Sequence, residues 1–197
     1  MGALVRDLLD LARLDQGREL EMTSLDLSAL AADAVAEVQR LERKYSRYRD
    51  DSVTSAINRS AGNASGIAVD CETALLLDYA ATAFAQSGGL FDPTSGVLRR
   101  VWNLKSGRVP SRAEIDAVLP LVDWHHLRWE RPRLVLPRAR MELDFGGFVK
   151  EYAADRVADL CRRAGARHGL VDLGGDLAVI GPHPDGSPWV IGIRDPR

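Results

Sequence analysis

Two glycine pairs, each beside aspartates, are the residues of this sequence best suited to chemistry on a ligand. The first lies in MELDFGGFVKEYAADR, residues 141–156, where Asp144 precedes Gly146-Gly147 and Lys150 follows them. Glycine lets backbone atoms approach a ligand closely, and the free amides at the start of a helix attract anions. Lys150 could contact the same phosphate, while Asp144 could hold a hard cation such as Mg²⁺. The alternative is a tight strand-to-helix connection with a solvated lysine.

The second pair lies in LVDLGGDLAVIG, residues 170–181, where Asp172 precedes Gly174-Gly175 and Asp176 follows them. Two junctions of this kind could place two backbone turns and three carboxylates at one edge of a sheet. The alternative is a hairpin turn whose aspartates tolerate left-handed backbone conformations. A turn of that kind leaves the repetition of the pattern unexplained.

A turn and a loop supply further candidates. In FDPTSGVL, residues 91–98, Asp92 and Thr94 either cap the turn locally or line a binding cleft. The loop that begins YSRYRDDS spans residues 45–58 and is rich in polar side chains. An aromatic ring there could stack on a flat heterocycle, and tyrosines packing a solvated loop would explain the pattern equally well.

Charge, composition and histidine spacing exclude other classes of function. The net charge of −2, without a basic run, argues against nucleic acid as a partner. A hydrophobic content of 46% in 197 residues is enough for a globular core. Neither metal-ligand spacing nor the nucleophile motif of a serine hydrolase accompanies the four histidines, His125, His126, His168 and His183.

Hydrophobic spacing predicts the elements that position these residues. Helices are predicted over residues 1–16, from Asp26 or Ser28 through Tyr45, for one turn after Asp51 or Ser52, over 71–89, from a capping box at Ser111 and Glu114, and over 148–164. Strands are predicted as a hairpin of 125–130 and 133–137, over 139–145, and as two or three strands within 167–182 and 188–195. Because the strands cluster late and short turns join most of them, the predicted fold class is α+β.

Four stretches in this order resemble the ApbE family of FAD:protein FMN transferases. They are KYSRYRDDSVTSAIN, SGGLFDPTSGVL, MELDFGGFVKEYAADR and HGLVDLGGDLAVIG, the last followed by WVIGIRDP. The resemblance covers about residues 33–197 and implies an ApbE-like mixed domain. Glu151 departs from the family pattern, because most members have glycine after the lysine.

The resemblance implies roles for residues in all four stretches. Contacts with FAD are implied for Tyr48, Ser52, Asn58, Phe91, Asp92, Thr94, Gly146, Gly147, Lys150, Asp172, Gly174 and Gly175. Lys150 and Asp176 are implied as catalytic residues, and Gly147 and Asp144 as metal ligands. The implied reaction splits FAD with Mg²⁺ as the metal, attaches FMN to a threonine of a target flavoprotein and releases AMP. A membrane redox subunit is the expected acceptor, and a non-catalytic FAD-binding remnant of the family is the alternative.

The two ends of the sequence add expectations about domain organisation. The family continues beyond the WVIGIRDP stretch, so residues 33–197 resemble the N-terminal portion of its catalytic domain, incomplete at the C-terminus. Residues 1–32 resemble a helical dimerisation and linker segment of sensor histidine kinases, without a phosphoacceptor because no histidine precedes His125. Neither a signal peptide nor a stretch of about 18 apolar residues is found. Family members often act outside the cytoplasmic membrane, so the compartment stays open.

Overall fold

Helices supply most of the framework in the computed structural model, which describes residues 26–103 and 107–193. The helices are α1 (Leu27–Tyr45), α2 (Val53–Arg59), α3 (Cys71–Gln86), α4 (Arg112–Val118) and α5 (Val149–Arg163). The strands are β1 (Ile67–Ala68), β2 (Arg128–Glu130), β3 (Arg133–Val135), β4 (Gly169–Asp172) and β5 (Leu177–Gly181). Short 3-10 segments cover Pro93–Arg100, Leu119–Leu121 and Trp124–His126. The predicted helix over residues 1–16 lies outside the described residues.

The strands form two small antiparallel sheets. One has the order β1-β3-β2, and its β2–β3 hairpin pairs Trp129 with Leu134. The other is the β4–β5 hairpin, which pairs Val171 with Ala178. Helices and separate antiparallel hairpins therefore share the domain, and the predicted α+β class is confirmed.

Side-chain caps fix where α1, α2 and α4 begin, as the sequence predicts. The Asp26 carboxylate accepts from the backbone amides of Ser28 and Ala29 at the start of α1. The Ser52 hydroxyl caps α2, and Ser111 with Glu114 forms a capping box on α4. Each cap satisfies amides that have no partner within their own helix, typically for about 1 kcal/mol.

The predicted strand over residues 139–145 is wrong, although much of the stretch is buried. Met141, Leu143 and Phe145 are buried, but the stretch pairs with no strand of the described chain. Its backbone groups are used in another way. The Asn58 amide both donates to the Leu143 carbonyl and accepts from the Leu143 amide, so a side chain replaces the strand partner. Residues 188–193 also form no strand, so only two of the two or three late strands are present among the described residues.

The main core lies where α1, α2 and α3 meet the extended stretch that leads into α5. Its aromatic centre runs from Tyr45 to Phe145 and on to Phe148, with ring centroids 5.1 and 5.7 Å apart. Full burial of an apolar side chain contributes about 1.5–3 kcal/mol, so this core dominates the stability of the fold. A smaller apolar cluster packs β5 onto α5 through Ala154, Ala158 and Ala178. The hairpin after α5 is thereby held against the helix.

A network of charges centred on Glu72 connects α1, α3 and α5. The Glu72 carboxylate accepts from Arg40 at 2.6 Å, from Lys44 at 2.7 Å and from the Tyr152 hydroxyl at 3.1 Å. The guanidinium of Arg40, together with the Lys44 ammonium, lowers the pKa of Glu72 to about 2. The three helices are thus joined by a carboxylate that stays ionised well into the acid range.

None of the described helices combines the length and the apolar composition that crossing a bilayer would require.

Candidate functional site

An open cavity of about 690 Å³ lies between the C-terminal end of α1 and the start of α5. One wall is apolar and is formed by Val38, Leu41, Val149, Ala153 and Leu173. Charged side chains border it, namely Glu42, Arg47, Asp144 and Lys150. A cavity with an apolar wall and a few converging polar groups is typical of a small-molecule site.

The first glycine junction forms one edge of this cavity. The Gly146 amide donates to the Asp144 carboxylate at 2.9 Å. A methyl group on Gly147 would lie 3.2 Å from the Phe91 ring, and one on Gly146 would lie 3.0 Å from the Asp144 carboxylate. Neither glycine has a positive φ, so close packing and not a left-handed turn accounts for glycine at these positions.

Asp144 is held rigidly at this junction. Its backbone amide donates to the Pro93 carbonyl at 2.9 Å, and its carboxylate forms an ion pair with Arg47. Gly96 packs against it so closely that an added methyl group would lie 2.9 Å from the Asp144 Cβ. The carboxylate therefore has a fixed position at the edge of the cavity.

The second glycine junction is a turn between β4 and β5. Gly174 and Gly175 have φ values of 68° and 102°, which only glycine adopts readily. The Gly175 amide donates to the Asp172 carboxylate at 2.7 Å. Here the left-handed backbone does require glycine, in contrast to the first junction.

Lys150 connects the two junctions. It lies in the first turn of α5, shortly after Gly146-Gly147, and its ammonium is 2.6 Å from the Asp176 carboxylate. The same ammonium donates to the Gly174 carbonyl at 3.2 Å. The structure thus brings together the glycine pairs that the sequence places far apart, with a cation between them.

The start of α5 adds positive potential to the same region. No side chain caps this 15-residue helix, whose N-cap position is Phe148, although the Val149 amide donates to the Phe145 carbonyl and Glu151 places an acid in the first turn. The helix dipole and the amides of an uncapped first turn favour an anion. Because Val149 and Lys150 line the cavity, this end of the helix borders it.

Asp92 and Thr94 act as local caps, one of the two alternatives that the sequence left open. The Asp92 carboxylate accepts from the Thr94 amide and hydroxyl, at 2.8 and 2.6 Å. Both side chains also bind the backbone of a distant segment, because Thr94 accepts from the Asp123 amide and Asp92 from the Trp124 amide. Thr94 is fully buried and neither residue lines the cavity. Their implied contact with FAD stays a prediction.

The loop after α1 divides between structural and cavity residues. Ser52 is buried as the cap of α2, and Asn58 is engaged with Leu143, so neither lines the cavity. Tyr48 is 80% exposed and lies at the cavity mouth. The Arg47 guanidinium donates to its hydroxyl at 2.8 Å and lies 5.0 Å from its ring centroid. This hydrogen bond, followed by the Asp144 charge, raises the pKa of Arg47.

Sequence reasoning gave no specific role to Arg47 or to the apolar residues of α1 that line the cavity. Arg47 stands in a polar loop, and the partner that makes it notable, Asp144, is far away in the sequence. Val38 and Leu41 have the spacing of ordinary core residues. Only the packing of α1 against α5 indicates that they face a cavity.

The carboxylates at the site do not by themselves form a metal centre. Across residues 26–103 and 107–193, no three histidine, cysteine or acidic side chains converge as a metal site. Asp144 is paired with Arg47, and Asp176 with Lys150. Asp144 and Gly147 as metal ligands therefore stay predictions.

Comparison with known proteins identifies the family. The ApbE family matches residues 14–197. The chain belongs to the ApbE family. The resemblance seen in the sequence is confirmed.

Relatives and solved structures of the family agree with this membership. An FAD:protein FMN transferase of Treponema pallidum is 31% identical over 189 residues, which cover 87% of this chain and 52% of the relative. The fold resembles the ApbE protein of Thermotoga maritima, with a TM-score of 0.80 and 30% identity over 90% of this chain and 59% of that one. It also resembles the flavinyl transferase ApbE of Pseudomonas stutzeri, with a TM-score of 0.73 and 32% identity over 84% of this chain and 56% of that one. The chain spans about half the length of the curated relatives that it matches.

The division predicted between a helical appendage, residues 1–32, and an ApbE-like domain, residues 33–197, stays a prediction. The family match begins at residue 14, and α1 runs through residues 32 and 33 without a break. Residues 1–25 lie outside the described residues. The helical appendage and its resemblance to histidine kinases stay predictions.

Proposed function

We propose that this ApbE-family chain takes part in transferring FMN from FAD to a threonine of a target flavoprotein, with release of AMP. The observation that carries the proposal is the meeting of two glycine junctions and Lys150 beside an apolar cavity. An apolar wall suits the isoalloxazine ring, and a cationic helix start suits the diphosphate. The names of the relatives support the same substrate.

The proposed binding mode follows from the polarity of the cavity. The flavin ring packs against the apolar wall formed by α1 and α5, with Tyr48 at the mouth available for stacking. The diphosphate lies at the start of α5, where Lys150 provides a positive charge. Phosphoryl transfer depends mostly on positioning and charge neutralisation, and this site supplies both.

The proposed reaction exchanges one phosphorus–oxygen bond for another. The threonine oxygen forms a bond with the FMN phosphorus, and the bond from that phosphorus to the bridging oxygen breaks. AMP leaves with the bridging oxygen, and the hydroxyl proton passes to a base. We assign this role to Asp176, whose carboxylate is held 2.6 Å from the Lys150 ammonium.

Mg²⁺ is part of the proposal as the counter-ion of the diphosphate. Such sites commonly use one or two carboxylates together with phosphate oxygens, and Asp144 with the Gly147 carbonyl would supply protein ligands. When bound there, the ion would neutralise part of the charge on the phosphate oxygens.

The acceptor belongs to the proposal as well. We expect a threonine in an Asp-x-x-Thr context on a membrane redox subunit. The chain's own Thr94 is unsuitable as an acceptor because it is fully buried and hydrogen-bonded to Asp92.

The test is a flavin-transfer assay with FAD, Mg²⁺ and an Asp-x-x-Thr peptide. Release of AMP together with a covalent FMN mass on the peptide is expected, and a peptide with valine in place of threonine should gain no mass. Asp51→Asn is a suitable control variant, because Asp51 is exposed, pairs with Arg49 and lies outside the cavity. Lys150→Gln should reduce both products.

Binding of FAD without turnover is the second candidate. The observation that favours it is that the two acids beside the glycine junctions are already engaged, Asp144 with Arg47 and Asp176 with Lys150. In the same assay, FAD retention without AMP release or a mass shift would support this alternative. Failure to bind FAD would contradict both candidates.

A further inference from the structure

When no divalent cation is bound, the proposed binding mode brings two negative groups together at the first glycine junction. The diphosphate of FAD carries negative charge, and the Asp144 carboxylate stands at that junction, hydrogen-bonded to the Gly146 amide at 2.9 Å. Asp144 cannot easily move away from a bound diphosphate, because its backbone amide is hydrogen-bonded to the Pro93 carbonyl and its Cβ packs on Gly96. Two negative groups a few ångströms apart repel each other strongly in a partly desolvated cavity.

Arg47 is placed to remove this repulsion. Its guanidinium forms the ion pair with Asp144 and lines the same cavity. The other cation at the cavity, Lys150, is already paired with Asp176, and the remaining charged group, Glu42, is another acid. Among the charged side chains that line the cavity, Arg47 is thus the one in contact with Asp144.

We propose that Arg47 neutralises Asp144 and thereby allows the FAD diphosphate to lie beside the first glycine junction. This inference rests on the proposed function and assigns Arg47 as a positioning residue for the diphosphate. A guanidinium has five N–H donors, so it can keep a bond to a carboxylate while it donates to a phosphate oxygen. Its other anchor, the Tyr48 hydroxyl at 2.8 Å, belongs to an exposed residue at the cavity mouth.

The test compares ligands of different charge on the full chain without divalent cations. FAD and riboflavin share the isoalloxazine ring, but only FAD carries the diphosphate. Arg47→Gln should weaken FAD binding about tenfold, the usual size of a lost charge-assisted contact, and leave riboflavin binding unchanged. Arg47→Lys keeps the charge and should retain most of the FAD affinity.

A double variant then separates charge compensation from other roles. Asn at position 144 can still accept from the Gly146 amide, so Asp144→Asn removes the charge with little change of shape. In the Arg47→Gln background, this second change should restore most of the lost FAD affinity. Arg49→Gln is the matched control, because Arg49 is a neighbouring arginine whose partner, Asp51, lies outside the cavity.

Three results would overturn the inference. Equal FAD affinity in native chain and Arg47→Gln would remove any role for Arg47 in binding. Equal weakening of FAD and riboflavin would assign Arg47 to the shape of the cavity. Absence of rescue by Asp144→Asn would exclude compensation of that carboxylate. In each case the native chain still binds FAD, whereas a native chain that binds no FAD would contradict the proposed function as well.

Discussion

Two clusters of ion pairs, one centred on Glu72 and the other at the cavity, differ in their number of partners and in what they border. The Glu72 network lies between three helices, and its central carboxylate has three hydrogen-bond partners. The cavity ion pairs, Arg47–Asp144 and Lys150–Asp176, are one-to-one and border glycine junctions, and Lys150 is half-exposed. The Glu72 network joins three helices to one another, whereas the cations of the cavity pairs lie where a ligand in the cavity could contact them.

The difference shows how one kind of interaction serves two purposes. Multiple partners and rigid helices keep Glu72 ionised, with its pKa lowered to about 2 by Arg40 and Lys44. In the cavity, Lys150 is half-exposed, and an exposed ion pair contributes about 0–1 kcal/mol to stability. Exchanging such a carboxylate for a phosphate therefore costs the protein little.

The largest expected effect comes from adding a methyl group at Gly96, which packs against Asp144 of the Arg47–Asp144 ion pair. In Gly96→Ala the new carbon would lie 2.9 Å from the Asp144 Cβ, so the cavity edge must shift. We expect a loss of about 1–3 kcal/mol in the free energy of unfolding, measured by urea denaturation, together with weaker FAD binding. Gly192→Ala, where no atom lies within 4 Å of the added carbon, should change neither quantity.

Thr94→Val tests whether the buried turn at Thr94 contributes to the stability of the fold or to FAD binding. The variant leaves the Asp123 amide without its acceptor and removes the hydroxyl bonded to Asp92. We expect a loss of about 2 kcal/mol in stability, with FAD affinity unchanged at temperatures where the variant is folded. Thr94→Ser, which keeps the hydroxyl, should be much milder. Selective loss of FAD affinity in a stable Thr94→Val protein would return this residue to the binding site.

Glu72→Gln weakens the Glu72 network and alters the response of the fold to acid. The lowered pKa of Glu72 means that its charge stabilises the fold above about pH 4.5, and that this stabilisation is lost as pH falls towards about 2. We expect the variant to lose about 1.5 kcal/mol near pH 7 and to lack this part of the acid dependence. Urea denaturation at a series of pH values measures both quantities. An unchanged acid dependence would mean that other carboxylates govern the acid response.

The smallest expected effect is that of Lys150→Gln, and it should fall on the ligand site and not on the stability of the fold. Loss of this partly exposed charge should change the free energy of unfolding by less than about 0.5 kcal/mol. FAD affinity should fall about fivefold, or about 1 kcal/mol, in an equilibrium titration. Lys150→Arg retains the cation and serves as the control. A large loss of stability in Lys150→Gln would end the distinction between the two clusters.

Local signals predicted the local structure well. Asp26, Ser52 and Ser111 were recognisable as helix caps because a cap depends only on residues a few positions away. The two glycine pairs were recognisable as special for the same reason. The second pair has the left-handed turn that glycine suggests, while the first is needed for close packing.

What the sequence could not provide were the contacts between distant segments. Residues 139–145 were predicted as a strand, but the side chain of Asn58 takes the place of a strand partner. The burial of Thr94 depends on Asp123, and the importance of Arg47 depends on Asp144. Each of these depends on a partner that no local pattern identifies.

The Asn58 clamp also has a consequence for how the site comes into being. One amide on α2 completes the backbone just ahead of the first glycine junction, through two hydrogen bonds to Leu143. The junction therefore acquires its shape only after the segment before α5 has docked onto the earlier helices. Contacts between such distant segments form late in folding, because the intervening chain must first be closed into a loop. Asn58 is synthesised well before Leu143, the residue that it binds. The cavity beside the first glycine junction would therefore be one of the last features of the fold to form.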